Sequence, residues 1–265
     1  MKDSFSRLYL GLVLIILYFP LVFLAVYSFN QAGTMNQFEG WTMEHYINLL
    51  ADQRLWLFVL NTFIVALIAA TIATIIGTFG AIYIHYLKKK NHQSILLQLN
   101  NVLLVTPDVL MGASFLVLFS TVIPLTLGFG TVVLAHIAFS VPIVVLIVLP
   151  RLKELPDSLI DAALDLGASY PQALWRIVLP SIAKGIRAGF FMALTYSLDD
   201  FAVTFFVTGN GFSTLSVEIY SRARQGVSLE INALSTLIFL VTLCLVLGYY
   251  FLETSRIKRK EGLIK

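Results

Sequence analysis

Residues 57–87 read LFVLNTFIVALIAATIATIIGTFGAIYIHYL and contain no Asp, Glu, Lys or Arg. At a rise of about 1.5 Å per residue, a helix of this length exceeds the roughly 30 Å hydrocarbon core of a bilayer. The run therefore predicts a membrane span that tilts or projects. Moving outward from it, uncharged or nearly uncharged apolar runs recur at about 8–29, 95–123, 129–149, 185–207 and 231–252. The six runs and their connections use up the 265 residues, leaving no room for a separate soluble domain. Composition agrees, because only 12% of residues are charged against roughly 25% in a soluble domain. The expected fold class is all-α: a polytopic membrane protein of six transmembrane helices, one domain over 1–265. No small-residue cleavage site follows the first run, which reads as a retained span and not a removed signal peptide. The single cysteine, Cys244, cannot form an intrachain disulfide and reads as a small core residue.

Charge fixes the orientation. With six crossings, 18 Lys and Arg distribute so that all but Arg54, Arg222 and Arg224 fall on one side. The positive-inside rule places that side, with both termini, in the cytoplasm. The net charge of +3 is thus a property of the connections and gives no reason to expect nucleic acid as a partner. Three connections are long enough to do work: 30–56 and 208–230 outside, and 150–184 inside. The connection at 124–128 is a tight outer hairpin.

The inner connection carries the sharpest motif. Pro156 and Asp157 suit a helix start. Leu159, Ala162, Ala163 and Leu166 recur at helical spacing and predict one apolar face, and Gly167 ends the helix. Ser169, Tyr170 and Pro171 open a second short helix bearing Leu174, Trp175 and Ile177, which Pro180 closes. The expected unit is a compact knob at the membrane surface.

The string Asp161-Ala162-Ala163, then Gly167 four positions after Ala163, then Ile177-Val178-Leu179-Pro180, resembles the EAA signature of bacterial ABC-importer permeases. Asp161 stands where Glu is usual in that family. The resemblance implies a type I importer permease whose 150–184 loop is a coupling helix for a cytoplasmic ATPase. Its contacts would be Asp161, Ala162, Ala163, Leu166, Gly167, Leu179 and Pro180. It also implies a homologous second permease subunit, two copies of the ATPase and an extracytoplasmic binding protein. Thr106-Pro107-Asp108, Ser197-Leu198-Asp199-Asp200-Phe201 and Leu215-Ser216-Val217-Glu218-Ile219-Tyr220-Ser221 resemble the permeases of polyamine (spermidine/putrescine) importers, and this resemblance covers essentially the whole chain.

Three acids, Asp108, Asp199 and Asp200, lie inside predicted spans. A carboxylate at mid-helix costs about 2.5–3.5 kcal/mol on insertion scales, and no Lys or Arg lies deep in a span to pair with it. These residues are expected to face a watery path or a polar partner. Neighbours on a helix diverge by about 100°, so Asp199 and Asp200 point different ways, one to the path and one to a neighbouring helix or subunit. The bland alternative is a carboxyl that serves helix packing. A path lined by acids suits a cationic cargo and repels oxyanions. Aromatic rings add cation–π attraction, and Tyr196 joins the three acids as a path candidate. Pro107 removes a backbone donor just before Asp108.

Other features read as support. His136 and His85 have no second ligand at metal spacing and are expected to hydrogen-bond in the core. His45 is a weak candidate for touching cargo or its carrier. Gly77 and Gly80 predict close helix packing. Glu218, Arg222 and Arg224 form a candidate docking patch for the binding protein. The chain has no Gly-rich phosphate loop with a Lys and no hydrolytic triad. It is therefore expected to be a non-catalytic subunit without a cofactor, with ATP bound by its partners. Rival readings are a permease for another organic cation and a secondary transporter protonating Asp108 or Asp199. An aspartyl protease is excluded, since neighbouring Asp residues on one helix cannot converge as a dyad.

Overall fold

The computed structural model describes residues 2–32, 35–156, 158–225 and 229–262, and the side chains of 6–32, 35–156, 158–224, 229–244 and 247. Asp157, expected in the first turn of the knob, lies outside them. In chain order the helices are α1 (Lys2–Tyr27), α2 (Glu44–Ala51), α3 (Gln53–His85), α4 (Lys90–Val105), α5 (Asp108–Val117), α6 (Phe129–Lys153), α7 (Ser158–Asp165), α8 (Tyr170–Ala173), α9 (Leu179–Ser181), α10 (Ala183–Asp199), α11 (Ala202–Val207), α12 (Leu215–Gln225) and α13 (Leu229–Gly262). Wide π-helical turns extend α5 over Leu118–Val122 and join α8 to α9 over Leu174–Val178. Among the described residues the β pairing is one isolated bridge, Asn30 to Trp41.

α1, α3 and α6 are each long and apolar enough to cross a membrane. α13 begins with the sixth apolar run and continues into the basic tail. The third run is not the single helix expected. The α4 segment and the α5 segment meet at 103°, across Thr106 and Pro107, which are both extended with ψ of 131° and 133°. Proline lacks the N–H, and its ring drives the preceding residue out of the α region. The fifth run is broken as well. The 170–181 segment bends by 68° into α10, and α10 itself stops at Asp200, which is extended with ψ 125°. The acids therefore sit at helix ends and not at mid-helix, which corrects the expectation of continuous spans.

The chain packs as two units, residues 1–55 with 219–265, and residues 56–218. In the first, α1 and α2 pack against α13. Buried Asn30 orders the loop after α1: its side-chain amide donates to the Gln37 carbonyl at 2.6 Å, and its Oδ1 accepts from the Glu39 N–H at 3.0 Å. His45 Nε2 lies 2.8 Å from the Asn30 carbonyl, so this histidine is engaged in loop structure. Cys244 is exposed on α13, contrary to its expected place in a core. Residues 240–244 and 247 of α13 are exposed.

The second unit has two cores. Val144, Val145, Val148, Leu149 and Leu152 of α6 pack with Ala81, Ile82 and Ile84 of α3 and with Val178 and Ile182 below the knob. Val65 of α3, Met111 and Phe119, Val132, Val133, Ala135 and Phe139 of α6, and Val203 and Val207 of α11 form the other. Lipid is as apolar as these side chains, so association must come from close packing, which small residues allow. Gly77 supplies it, for a Cβ there would stand 2.6 Å from the Val144 Cβ, whereas one on Gly80 would meet Val145 Cγ2 at 3.7 Å.

Candidate functional site

The two helix breaks place the acids. At the first, Asp108 opens α5 and is exposed. Tyr196, one turn before the end of α10, donates its hydroxyl to Asp108 Oδ1 at 3.1 Å. Two residues 88 positions apart in sequence, both candidates for the path, are thus brought together. The Tyr196 ring also stands edge-on to Phe139 with centroids 5.1 Å apart, which fixes the direction in which its hydroxyl points. Asp199 ends α10 and is exposed.

Asp200 is oriented differently. Its Oδ2 accepts from the Thr204 N–H at 2.8 Å and the Thr204 hydroxyl at 2.6 Å, and its Oδ1 accepts from the Val203 N–H at 3.3 Å. It satisfies amides that the start of α11 would otherwise leave unpaired. Its own carbonyl accepts from the Ser216 hydroxyl at 2.7 Å. Irregular backbone at membrane depth is tolerated where such groups are re-satisfied. His136 Nε2 lies 3.5 Å from Asp200 Oδ2 and 2.8 Å from Thr204 Oγ1, while Nδ1 lies 2.6 Å from Ser197 Oγ. The side chains of Asp199 and Asp200 diverge as expected, though for another reason: the chain has left the helix at Asp200. Asp199 is open, and Asp200 turns into the protein.

Both half-helices that follow the breaks begin with an acid. A helix N-terminus carries a partial positive charge, and Asp108 and Asp200 offset it. What remains facing outward is negative and aromatic. α5 and α11 cross closely at Gly112, where a Cβ would stand 2.6 Å from Phe206 Cδ2 and 3.1 Å from the Ala202 carbonyl oxygen.

The knob forms as two short helices. Gly167 at φ +85° makes the left-handed turn after α7. Ser169 caps α8, its N–H donating to Gln172 Oε1 at 2.8 Å. Ile160 and Ala163 face the core, while Leu166, just past the end of α7, is 90% exposed. The outer surface of the knob holds Asp161, Ala162, Leu166, Tyr170 and Trp175, all exposed. Leu179 is half-buried, Gly167 and Pro180 are exposed, and Trp175 stands edge-on to Phe79 of α3 at 6.2 Å.

The expected docking patch divides. Arg222 pairs with Asp52 at 2.9 Å and with Glu230 at 3.5 Å. It ties α12 to the residue between α2 and α3 and to the start of α13. Burial pushes the Asp52 carboxyl up, but the Arg222 hydrogen bond, backbone donors and the Arg222 charge outweigh it, and the net shift is downward. Arg224 lies over the Tyr220 ring at 5.9 Å, and Glu218 stands on the first turn of α12.

Sequence reasoning missed Ser197, Thr204 and Gly112. Ser and Thr three before and four after Asp200 were the available signal for the first two. Gly112 had none, since a lone glycine in an apolar run does not reveal what crosses it.

A family model described as "Binding-protein-dependent transport system inner membrane component" matches residues 77–256. The chain is 33% identical over 249 residues to the spermidine/putrescine transport system permease protein PotC of Escherichia coli (strain K12), covering 94% of each chain. It is 37% identical over 227 residues to the putrescine transport system permease protein PotI of the same strain, covering 84% of this chain and 81% of that one. Among solved structures, a subunit of a bacterial ABC transporter importing the acidic polysaccharide alginate superposes with a TM-score of 0.72 at 16% identity, covering 96% of this chain and 95% of that chain. A chain of the MetNI methionine ABC transporter in an inward-facing conformation superposes with a TM-score of 0.60 at 16% identity, covering 80% of this chain and 98% of that one.

Proposed function

The chain belongs to the family of binding-protein-dependent transport system inner membrane components, and from that premise we propose that it is the permease subunit of an ATP-driven importer of polyamines. The observation that carries the cargo is the meeting of Asp108 and Tyr196 at 3.1 Å beside an exposed Asp199. Carboxylates and an aromatic face, with no cation among them, suit an ammonium group. They would repel the anionic cargo of the alginate importer, whose fold is shared. Both polyamine permeases among the relatives support the same assignment.

In the proposed mechanism Asp108 and Asp199 stabilise a polyamine ammonium in transit, and Tyr196 orients the Asp108 carboxylate and offers its ring. Asp200 acts behind them, as the group that shapes the break. The chain pairs with a second, homologous permease, and an extracytoplasmic polyamine-binding protein delivers cargo to the 30–56 and 208–230 segments, with Glu218 and Arg224 as its contacts. Two cytoplasmic ATPases, which bind the ATP, press on the knob. Exposed Leu166 on a knob anchored through Val178 and Ile182 supports that reading, because an apolar tip on a rigid base transmits force to α6 and α10. Both termini lie in the cytoplasm, and the knob lies on the same side.

ATP-driven uptake of labelled spermidine by the reconstituted complex tests the proposal. Asp108→Asn and Asp199→Asn are expected to abolish most uptake while assembly and ATP hydrolysis persist. Unchanged uptake in both would refute the path, and uptake of another organic cation in place of spermidine would move the assignment to that cargo.

A further inference from the structure

The imidazole of His136 is 1% exposed and touches both halves of a broken span. Nδ1 meets Ser197 on α10 at 2.6 Å, and Nε2 meets Thr204 on α11 at 2.8 Å. The Thr204 hydroxyl has one proton and donates it to Asp200 at 2.6 Å, so toward His136 it can only accept, and Nε2 carries the hydrogen. The opposite nitrogen is then free to accept from the Ser197 hydroxyl. Every polar atom in the chain Ser197–His136–Thr204–Asp200 has its partner without any group changing charge. The ring stands on a third element, α6, where Phe139 lies beside it, tilted by 45° with centroids 4.9 Å apart.

We infer that His136 is a positioning residue that sets the spacing of the cation site by bracing the break between α10 and α11. The geometry leads there in three steps. α10 carries Tyr196 and Asp199. α11 packs tightly on α5 at Gly112, Val203 and Phe206, and α5 carries Asp108. The separation between the two walls of the site therefore follows the angle between α10 and α11, and the imidazole bridges that angle. Of the four hydrogen-bonded residues, His136 is the one that stands on a third helix, and Phe139 of the same helix packs against Tyr196 beside it. The inference rests on the proposed cation path for its functional effect, though not for its structural one.

Two measurements keep the two apart. The first is dipolar EPR between spin labels at Phe191 on α10 and Phe205 on α11, both exposed, in the assembled complex. The expected result is a narrow distance distribution in the parent, broadened or shifted in Ser197→Ala and in His136→Asn, and restored to the parent form in Thr204→Ser, which keeps the hydroxyl. An unaltered distribution in both cutting variants overturns the brace. The second is the apparent KM for spermidine. Ser197→Ala is expected to raise it roughly threefold or more at similar maximal rate, and to add nothing in an Asp108→Asn background, because coupled neighbours are non-additive. Additive effects, or a fall in rate alone, refute the functional step. Loss of the Asp108→Asn effect with the EPR result intact refutes the path and leaves the brace standing.

Discussion

Replacing Gly112 by Ala tests how closely the two half-helices must approach. In most helices the change is favourable by about 1 kcal/mol, since alanine is the better helix former. Here the new methyl would stand 2.6 Å from Phe206 Cδ2, 3.1 Å from the Ala202 carbonyl oxygen and 3.1 Å from the Val203 Cα. The Phe206 ring can turn aside, but the other two atoms are backbone of α11. α11 has to back away by about half an ångström, and overpacking of this kind costs about 1–3 kcal/mol. Subtracting the propensity gain leaves a net loss of about 0–2 kcal/mol, against a gain in an unobstructed helix. Gly80→Ala is the internal control, because its methyl would meet Val145 at an ordinary 3.7 Å. It should match the parent or exceed it. Thermal unfolding of the purified protein in one detergent reads both. The retreat of α11 also carries α5, so spermidine uptake should fall in Gly112→Ala and hold in Gly80→Ala. A melting temperature for Gly112→Ala at or above that of Gly80→Ala would refute the crossing drawn here.

Other outcomes follow from the same structure. Leu166→Ser should leave the melting temperature of the isolated subunit unchanged, because the side chain is 90% exposed, yet weaken ATP-coupled uptake, as the two assays run in parallel will reveal. Val178→Ala, fully buried below the knob, should instead lower stability by about 1–2 kcal/mol. Tyr196→Phe should raise the apparent KM for spermidine by freeing the Asp108 carboxylate, while assembly on a sizing column stays normal. The Asp52 carboxyl is depressed in the folded state, so its contribution is present above its unfolded value of about 3.9 and is lost as pH falls through the lower folded value. Asp52→Asn should accordingly cost up to about 1 kcal/mol at neutral pH and nothing once the acid limit is reached, as read from unfolding curves across pH.

The fold was legible because its strongest signals are local. A run such as 57–87 has no soluble alternative, and Gly167 with Ser169 announces the turn between the two helices of the knob. The breaks were harder. Pro107 marked the first, since it perturbs its own backbone and that of its neighbour. Nothing marks the second, because Asp200 interrupts its helix through bonds to Thr204 and Ser216 that form only after folding. The same reason separates the site residues. Asp108, Tyr196 and Asp199 were readable as chemistry out of place in lipid. The orientation of Asp200 depended on His136, 64 positions earlier in the chain, and the engagement of Arg222 depended on Asp52, 170 positions away.

The bare apolar tip of the knob has a cost before assembly. Leu166, Tyr170 and Trp175 are more than half exposed to solvent, and Trp175 has Phe79 of α3 along one edge. A copy that reaches the bilayer ahead of its partners displays what chaperones and membrane proteases recognise in damaged proteins. If the proposed ATPase covers that tip, the lifetime of the subunit should follow how soon that companion arrives.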